Sequence, residues 1–333
     1  MARVTVFGAG AMGTAVAMHL ARNGNQTLLW ASEFDRAILS ALAEQRRHPA
    51  LPEHLPDSLR VLEPERLAEA SDHIDIAVMG AHSGGARTLA RIVTERSDSL
   101  PVVVGVAKGL EPQTGKRMSE IYTEEVGHDR VISVAGPCLA GEVAQGLPCA
   151  VVFASSNSAT AEAAARSFRS PTYRVSITDD LVGVEYCMVA KNVAAIGLGI
   201  LDGLGKGVGF EYRNAKAALF SQACAELVNL VVALGGRAET ARGLAGLGDA
   251  LVTSLGGRNR LFGELLGEGV APNDALSDLM NRGMTVEGVE SARDVSQLAG
   301  GRGLSLPFFE QIHLIVFDGS PAASVLDCLG GER

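Results

Sequence analysis

Short apolar runs alternate with amphipathic stretches through the first half of the chain, and the alternation stops near residue 180. Val4-Thr5-Val6-Phe7, Thr27–Trp30, Ile76–Met79, Val102–Val106, Val131–Val134, Ala150–Ala154 and Tyr173–Val175 predict strands. Ile76–Met79 and Val102–Val106 are continuously apolar, as strands covered on both faces of a parallel sheet are. Between the first strands, helical spacing predicts helices over Ala11–Asn23, Phe34–Arg47, Gly85–Arg96 and Gly115–Val126, while the proline-rich HPALPEHLPDS predicts a loop. This order predicts an α/β, doubly wound parallel sheet over residues 1–180. Beyond it, Leu181–Leu204, Ala215–Leu234, Ala238–Leu244, Arg260–Leu266, Ala271–Met280, Glu287–Ala299 and Leu306–Phe317 carry helical spacing, with glycine clusters between several of them. Residues 181–333 are therefore expected to form an all-α second domain.

Composition narrows the function classes. A chain of 333 residues suits two domains, and 47% hydrophobic with 20% charged residues is ordinary for a soluble globular protein. The formal net charge of −9 argues against a nucleic-acid surface but leaves room for locally positive anion sites. Cys138, Cys149, Cys187, Cys224 and Cys328 show neither CxxC nor a Cys/His ligand spacing, and read as free thiols in a reducing, cytoplasmic setting. His19, His48, His54, His73 and His128 are scattered and form no metal set, while His82 and His313 read as packing residues. MARVTVFGAG runs straight into a glycine turn, which predicts a strand and not a signal peptide, and no apolar run is expected to span a bilayer.

Gly8-Ala9-Gly10-Ala11-Met12-Gly13 is a GxGxxG between a predicted strand and a predicted helix. The first glycine permits the tight turn, the second admits a pyrophosphate to the backbone, and the third lets helix and strand pack. In this context the motif predicts a Rossmann-type dinucleotide site. The ribose-binding carboxylate belongs about 20 residues further on. Glu33 fits, with Asp35 a poorer candidate; a solvated carboxylate at a helix start is the plain alternative for Glu33. No arginine directly follows Trp30 to hold a 2′-phosphate, so NAD is favoured, with NADP possible.

The apolar second half strands a few polar residues: Lys191-Asn192, Asp249 and Arg258-Asn259. Lys108 stands alone after PVVVGVA. A lysine among apolar residues usually snorkels to the surface, and an isolated Asp249 or Asn259 usually caps a helix. In order along the chain, GAGAMGTAVA, AKGLEPQTG, GPCLAGEVAQGLP, VAKNVAAIGLGILDGLG, NAKAAL, GLAGLGDALVT, GRNRLFG and VEGVESA resemble the NAD(P)-dependent glycerol-3-phosphate dehydrogenase family over almost the whole length. That resemblance implies hydride transfer between NAD(H) and a small phosphorylated polyol or ketone. It implies Lys191 as proton donor and acceptor, and Lys108 as a residue touching substrate and nicotinamide. Asp249 would orient Lys191 or bind a substrate hydroxyl. Gly136, Cys138, Asn192, Thr253, Arg258 and Asn259 would line the substrate pocket, with Arg258 also near the cofactor. Ala11, Met12, Ala140 and Glu287 would lie by the cofactor. Lys108 could also serve as a second cation that depresses Lys191 into the range for proton transfer near neutrality.

Several positions depart from the family pattern: Ala11-Met12 replaces Ser-Trp, His82 replaces a proline, Cys138-Leu139 replaces Ser-Phe, and Gly257 stands where a Ser or Thr is common. Because Cys138 and Gly257 border the implied pocket, a paralogue acting on another phosphorylated polyol or hydroxy acid stays open, as does a non-catalytic NAD-binding regulator. Leu219–Leu234 is a candidate homodimer surface, and core packing explains that stretch equally well.

Overall fold

The structure, a computed structural model, describes residues 1–96, 101–126 and 130–330, so His128 lies outside the described residues. The chain divides into two compact units, Met1–Leu181 and Val182–Arg333. In the first, β1 (Arg3–Phe7), α1 (Ala11–Arg22), β2 (Gln26–Trp30), α2 (Arg36–Ala43), β3 (Arg60–Leu62), α3 (Leu67–Ala70), β4 (Ile76–Met79), α4 (Ala86–Arg96), β5 (Val102–Gly105), α5 (Met118–Val126), β6 (Val131–Ala135), α6 (Ala140–Gln145), β7 (Cys149–Ala154), α7 (Ser158–Phe168) and β8 (Tyr173–Thr178) follow one another. They build one sheet in the order β3-β2-β1-β4-β5-β6-β7-β8.

The period of two along each strand sorts side chains to the two faces. Val4, Val6, Ile76, Val78, Val104, Ile132 and Val134 join one apolar cluster, which takes in Val16 and Leu20 of α1 and Phe168 of α7. Phe7, Ala77, Met79, Val103 and Val131 join the other, with Leu89 of α4 and Tyr122 of α5. Both faces are therefore covered, which is why the central strands read as unbroken apolar runs. Two details differ from the sequence-based expectation. A short strand, β3, follows the proline-rich loop and pairs with β2 (Leu28↔Arg60). The sheet is also not wholly parallel: β7 runs antiparallel to β6 (Ser133↔Ala154), and β8 runs parallel to β7.

The second unit is helical. Its helices are α8 (Leu181–Val208, starting at the boundary), α9 (Arg213–Ala233), α10 (Ala238–Arg242), α11 (Asp249–Leu255), α12 (Arg258–Gly267), α13 (Pro272–Asn281), α14 (Glu287–Gly300) and α15 (Pro307–Phe317), with a π-helical turn over Leu244–Gly248. The separate helix α11 and the π turn were not expected from the apolar spacing. Two helices, α8 and α9, are long and apolar enough to cross a membrane by length and composition alone, a test that the core helices of globular proteins also pass; 89% of the apolar window of α8 is buried inside the protein, against 33% for α9.

Glycines set the distance between α8 and α12. A Cβ at Gly199 would lie 2.1 Å from the Arg260 carbonyl oxygen, and one at Gly203 would lie 2.0 Å from that of Glu264. From the other side, a Cβ at Gly263 would meet the Ile196 oxygen at 2.0 Å, and one at Gly267 the Ile200 oxygen at 2.1 Å. The helices thus cross backbone to backbone along a Gly-x-x-x-Gly seam on each partner. Only glycine permits that approach, which brings the first turn of α12 against the middle of α8. Glu226 of α9 holds the other end of this unit by accepting from the Phe308 and Phe309 amides at the start of α15, at 2.9 and 3.0 Å.

Candidate active site

In the first unit, the carboxyl ends of the parallel strands carry the candidate residues, as expected where such sheets bind ligands. Gly8, Gly10, Ala11, Met12 and Gly13 link β1 to α1. Gly8 has φ 99°, and a Cβ on Gly13 would fall 2.5 Å from the Gly8 carbonyl oxygen. Gly80, just past β4, completes this packing, since its own Cβ would lie 2.8 Å from the same oxygen; sequence reasoning passed over it. At Gly10 the nearest atom to an added Cβ is 3.8 Å away, so packing does not demand glycine there. The bare backbone at Gly10 fits a ligand's close approach. So does the amino end of α1, which has neither a side-chain cap nor an acidic residue in its first turn.

Around this loop the two acidic candidates face different ways. Asp35 turns inward, accepting from the Ser32 amide at 2.7 Å and from the Ala9 amide within the glycine loop at 3.2 Å. Glu33, exposed, accepts from Arg36 through Nε at 2.5 Å and Nη2 at 3.0 Å, and Arg36 also reaches Glu65 at 2.6 Å. Arg36 is held strongly protonated by these two carboxylates. Lys108, half-buried, follows β5 on the same sheet edge. Gly136 and Cys138 follow β6, and Ala140 opens α6. His82, expected to pack, is exposed; His313 packs its ring against Phe317 at 4.8 Å.

In the second unit the stranded polar residues come together in two groups. Lys191 in the apolar core of α8 places Nζ 2.5 Å from Asp249 Oδ1, with both side chains 2% exposed. Lys191 Nζ also donates to Thr253 Oγ1 at 3.1 Å, and that hydroxyl donates to the Asp249 carbonyl at 2.6 Å. Asp249 and Thr253 share one face of α11 at i, i+4 spacing. The π turn delivers Asp249 into this position. Its Gly246 lies so close to Ala241 that an added Cβ would be 1.8 Å from the Ala241 oxygen, which accounts for the central glycine of GLAGLGD. Two charges this far from water persist because they pair and hydrogen-bond.

The second group lies beside the glycine seam. Asn259 Nδ2 donates to Asn192 Oδ1 at 3.0 Å, and Asn259 Oδ1 accepts from the Gly288 amide at 2.9 Å, next to Glu287 at the start of α14. The Asn192 Nδ2 is buried and has no hydrogen-bond partner. Such an orphan donor is worth about 1–3 kcal/mol to whatever ligand satisfies it. Arg258, at the start of α12, is exposed. Gly257 before it adopts φ 94°, a conformation that favours glycine.

Known proteins resemble this architecture end to end. A family model described as NAD-dependent glycerol-3-phosphate dehydrogenase N-terminus matches residues 3–161, and its C-terminus counterpart matches residues 180–327. A glycerol-3-phosphate dehydrogenase [NAD(P)+] of Moorella thermoacetica is 37% identical over 98% of this chain and 94% of its own length. The NADP(+)-dependent glycerol-3-phosphate dehydrogenase of Archaeoglobus fulgidus is 31% identical, covering 97% of each. The crystal structure of glycerol-3-phosphate dehydrogenase from Coxiella burnetii superposes with a TM-score of 0.86 at 31% identity, covering 99% of this chain and 98% of that one. A ketopantoate reductase from Ralstonia eutropha shares the fold alone, at a TM-score of 0.57 and 15% identity. The chain belongs to the glycerol-3-phosphate dehydrogenase family of NAD(P)-dependent oxidoreductases.

Proposed function

We propose that the protein interconverts dihydroxyacetone phosphate and sn-glycerol 3-phosphate, with residues 1–180 binding the dinucleotide and residues 181–333 supplying substrate contacts and the proton. The observation that carries this reading is the buried Lys191–Asp249–Thr253 cluster, seated near an unsatisfied Asn192 amide. The nicotinamide, when bound, supplies the hydride. Gly8, Gly10, Ala11, Met12 and Gly13 hold the pyrophosphate, with Lys108, Ala140, Arg258 and Glu287 also assigned to the cofactor. As the substrate carbonyl gains electron density on oxygen, Lys191 Nζ stabilises that charge and gives up a proton; in reverse it takes one back. Asp249 and Thr253 keep Nζ in one place, so the transfer needs no side-chain rearrangement. Asn192 Nδ2 donates to a substrate oxygen, Asn259 holds the Asn192 amide in its orientation, and Arg258 takes the phosphate. Lys108, Gly136 and Cys138 complete the substrate assignments.

NAD is favoured over NADP because Arg36, beside Glu33, is already neutralised by Glu33 and Glu65. A homodimer through Leu219–Leu234 rests on the exposed Ala225 and Val232, while Leu219, Leu227 and Leu230 of the same stretch are buried within the chain's own core; a cytoplasmic setting fits the unbridged thiols. Lys191→Met should abolish NADH oxidation with dihydroxyacetone phosphate while NADH still binds, as read by nicotinamide fluorescence. Retained turnover would refute the assignment of Lys191. A panel of keto-phosphates run with NADH and NADPH separates this reading from a paralogue of different substrate.

A further inference from the structure

The antiparallel pairing of β6 and β7 runs Ser133↔Ala154, Val134↔Phe153, Ala135↔Val152. Past the last ladder pair the two segments stay close: a Cβ on Gly136 would lie 3.0 Å from Val151 Cα and 2.8 Å from the Ala150 oxygen. Two residues beyond Gly136, Cys138 comes to the start of β7, where Cys149 stands. The side chains do meet, because the Cys138 sulfur is in hydrogen-bond contact with the Cys149 thiol. Both residues are partly exposed, so a small oxidant reaches them.

We propose that Cys138 and Cys149 form a reversible dithiol–disulfide site, closed by a hydroperoxide and reopened by a small thiol, that governs the segment between β6 and α6. Contact with Cys138, with burial adding to it, pushes the Cys149 thiol up. Tyr173, paired with Cys149 across β7 and β8 and 2% exposed, brings its phenol into hydrogen-bond contact with the Cys138 sulfur. Stacking on His19, with ring centroids 4.4 Å apart, holds Tyr173 there.

The Cys138 thiolate attacks one peroxide oxygen and the O–O bond breaks. The sulfur becomes a sulfenic acid, and the departing oxygen leaves as water or alcohol after taking a proton. Cys149 then attacks the sulfenic sulfur, the S–O bond breaks, and hydroxide leaves with the Cys149 proton as water. The two thiols together lose two electrons and two protons, and the hydroperoxide gains them. A small thiol reverses the bond by exchange. The effect on turnover rests on the dehydrogenase reading, in which Gly136 and Cys138 border the substrate; the crosslink itself does not.

The test oxidises the full-length protein with hydrogen peroxide, alkylates the remaining thiols, and maps peptides by mass spectrometry without reduction. The expected result is one linked peptide pair joining Cys138 to Cys149, lighter by two hydrogens than the separate peptides and released by dithiothreitol. Turnover should fall at least about tenfold and return on reduction. Cys149→Ser should keep its reduced-state rate and lose both the crosslink and the reversible inhibition. Two outcomes overturn the site: both thiols still alkylate after peroxide, or Cys138 passes to sulfinic acid while Cys149 stays alkylatable. A crosslinked protein with unchanged turnover overturns the governing role. A fully reduced protein inactive on every keto-phosphate refutes the dehydrogenase reading while the peptide map still decides the disulfide.

Discussion

Separating Lys191 from Asp249 gives a sharp energetic test. In Lys191→Met, Asp249 stays 2% exposed with its cationic partner gone. Its cheapest escape is protonation, which at pH 7 spans about 3 units above the ordinary carboxylate value at about 1.4 kcal/mol each, or about 4 kcal/mol. In Asp249→Leu, Lys191 escapes by losing its proton, over a similar interval below about 10.4, which sets a ceiling of about 5 kcal/mol. Both figures agree with the loss of about 3–5 kcal/mol expected when one member of a buried pair is removed. The double variant Lys191→Met/Asp249→Leu leaves no charge, and the Thr253 hydroxyl keeps its bond to the Asp249 backbone carbonyl, so it should unfold close to the parent. Urea unfolding followed by far-ultraviolet circular dichroism should therefore give a coupling of at least about 3 kcal/mol between the two sites. The Lys191→Met deficit should also shrink as pH falls toward the ordinary carboxylate value, about 3.9, where protonating Asp249 in the folded chain no longer costs free energy. Single-variant losses that add to within about 0.5 kcal/mol would mean the charges do not sustain one another, and the argument would fail.

Two further outcomes follow from packing and burial. Gly263→Ala forces a methyl to within 2.0 Å of the Ile196 carbonyl oxygen and should destabilise the second unit by at least about 3 kcal/mol, while the same change at Gly269, where no atom lies within 4 Å but φ is 91°, should cost about 1–2 kcal/mol; equal effects in thermal melts would contradict the seam. Burial, with Glu290 nearby, pushes the Asp294 carboxyl up to about 6. Its contribution to stability is present below the ordinary carboxylate value and lost as pH rises through about 6, so Asp294→Asn should gain about 1–2 kcal/mol at pH 7.5, after allowance for solvent screening, and nothing at pH 3.5; a gain independent of pH would refute it.

The strands were largely legible because a sheet covered on both faces requires unbroken apolar runs, and those carry their own signature. Their direction was not: an apolar run such as Cys149–Ala154 reads identically parallel or antiparallel, so the reversal at β7 stayed hidden. β3 was missed because three residues beside a proline-rich loop carry no period. Glycines misled in two ways. Those of GLGILDGLG and LFGELL lie inside helices, where a close crossing and not a turn requires them, and those of GLAGLGD form a π turn that apolar spacing does not reveal. Lys191 with Asp249, and Asn192 with Asn259, were grouped through family resemblance; nothing in their separation along the chain brings them together. Glu33 and Asp35 sit two residues apart in one short turn, and only their rotation about it decides which faces Ala9. Cys138 and Cys149 were read as free thiols because no CxxC or ligand spacing joins them, and only the fold brings them into contact.

The four-glycine crossing of α8 and α12 has a mechanical consequence. Packed helices usually shear by letting interposed side chains hop between rotamers, but here no side chains lie between the two backbones to act as a bearing. The pair can rotate or translate only as one piece, so the spacing of Asn192 and Asn259 behaves as a gauge length set by the main chain. Thermal softening of the surrounding apolar core should leave that length unchanged until the second unit itself unfolds.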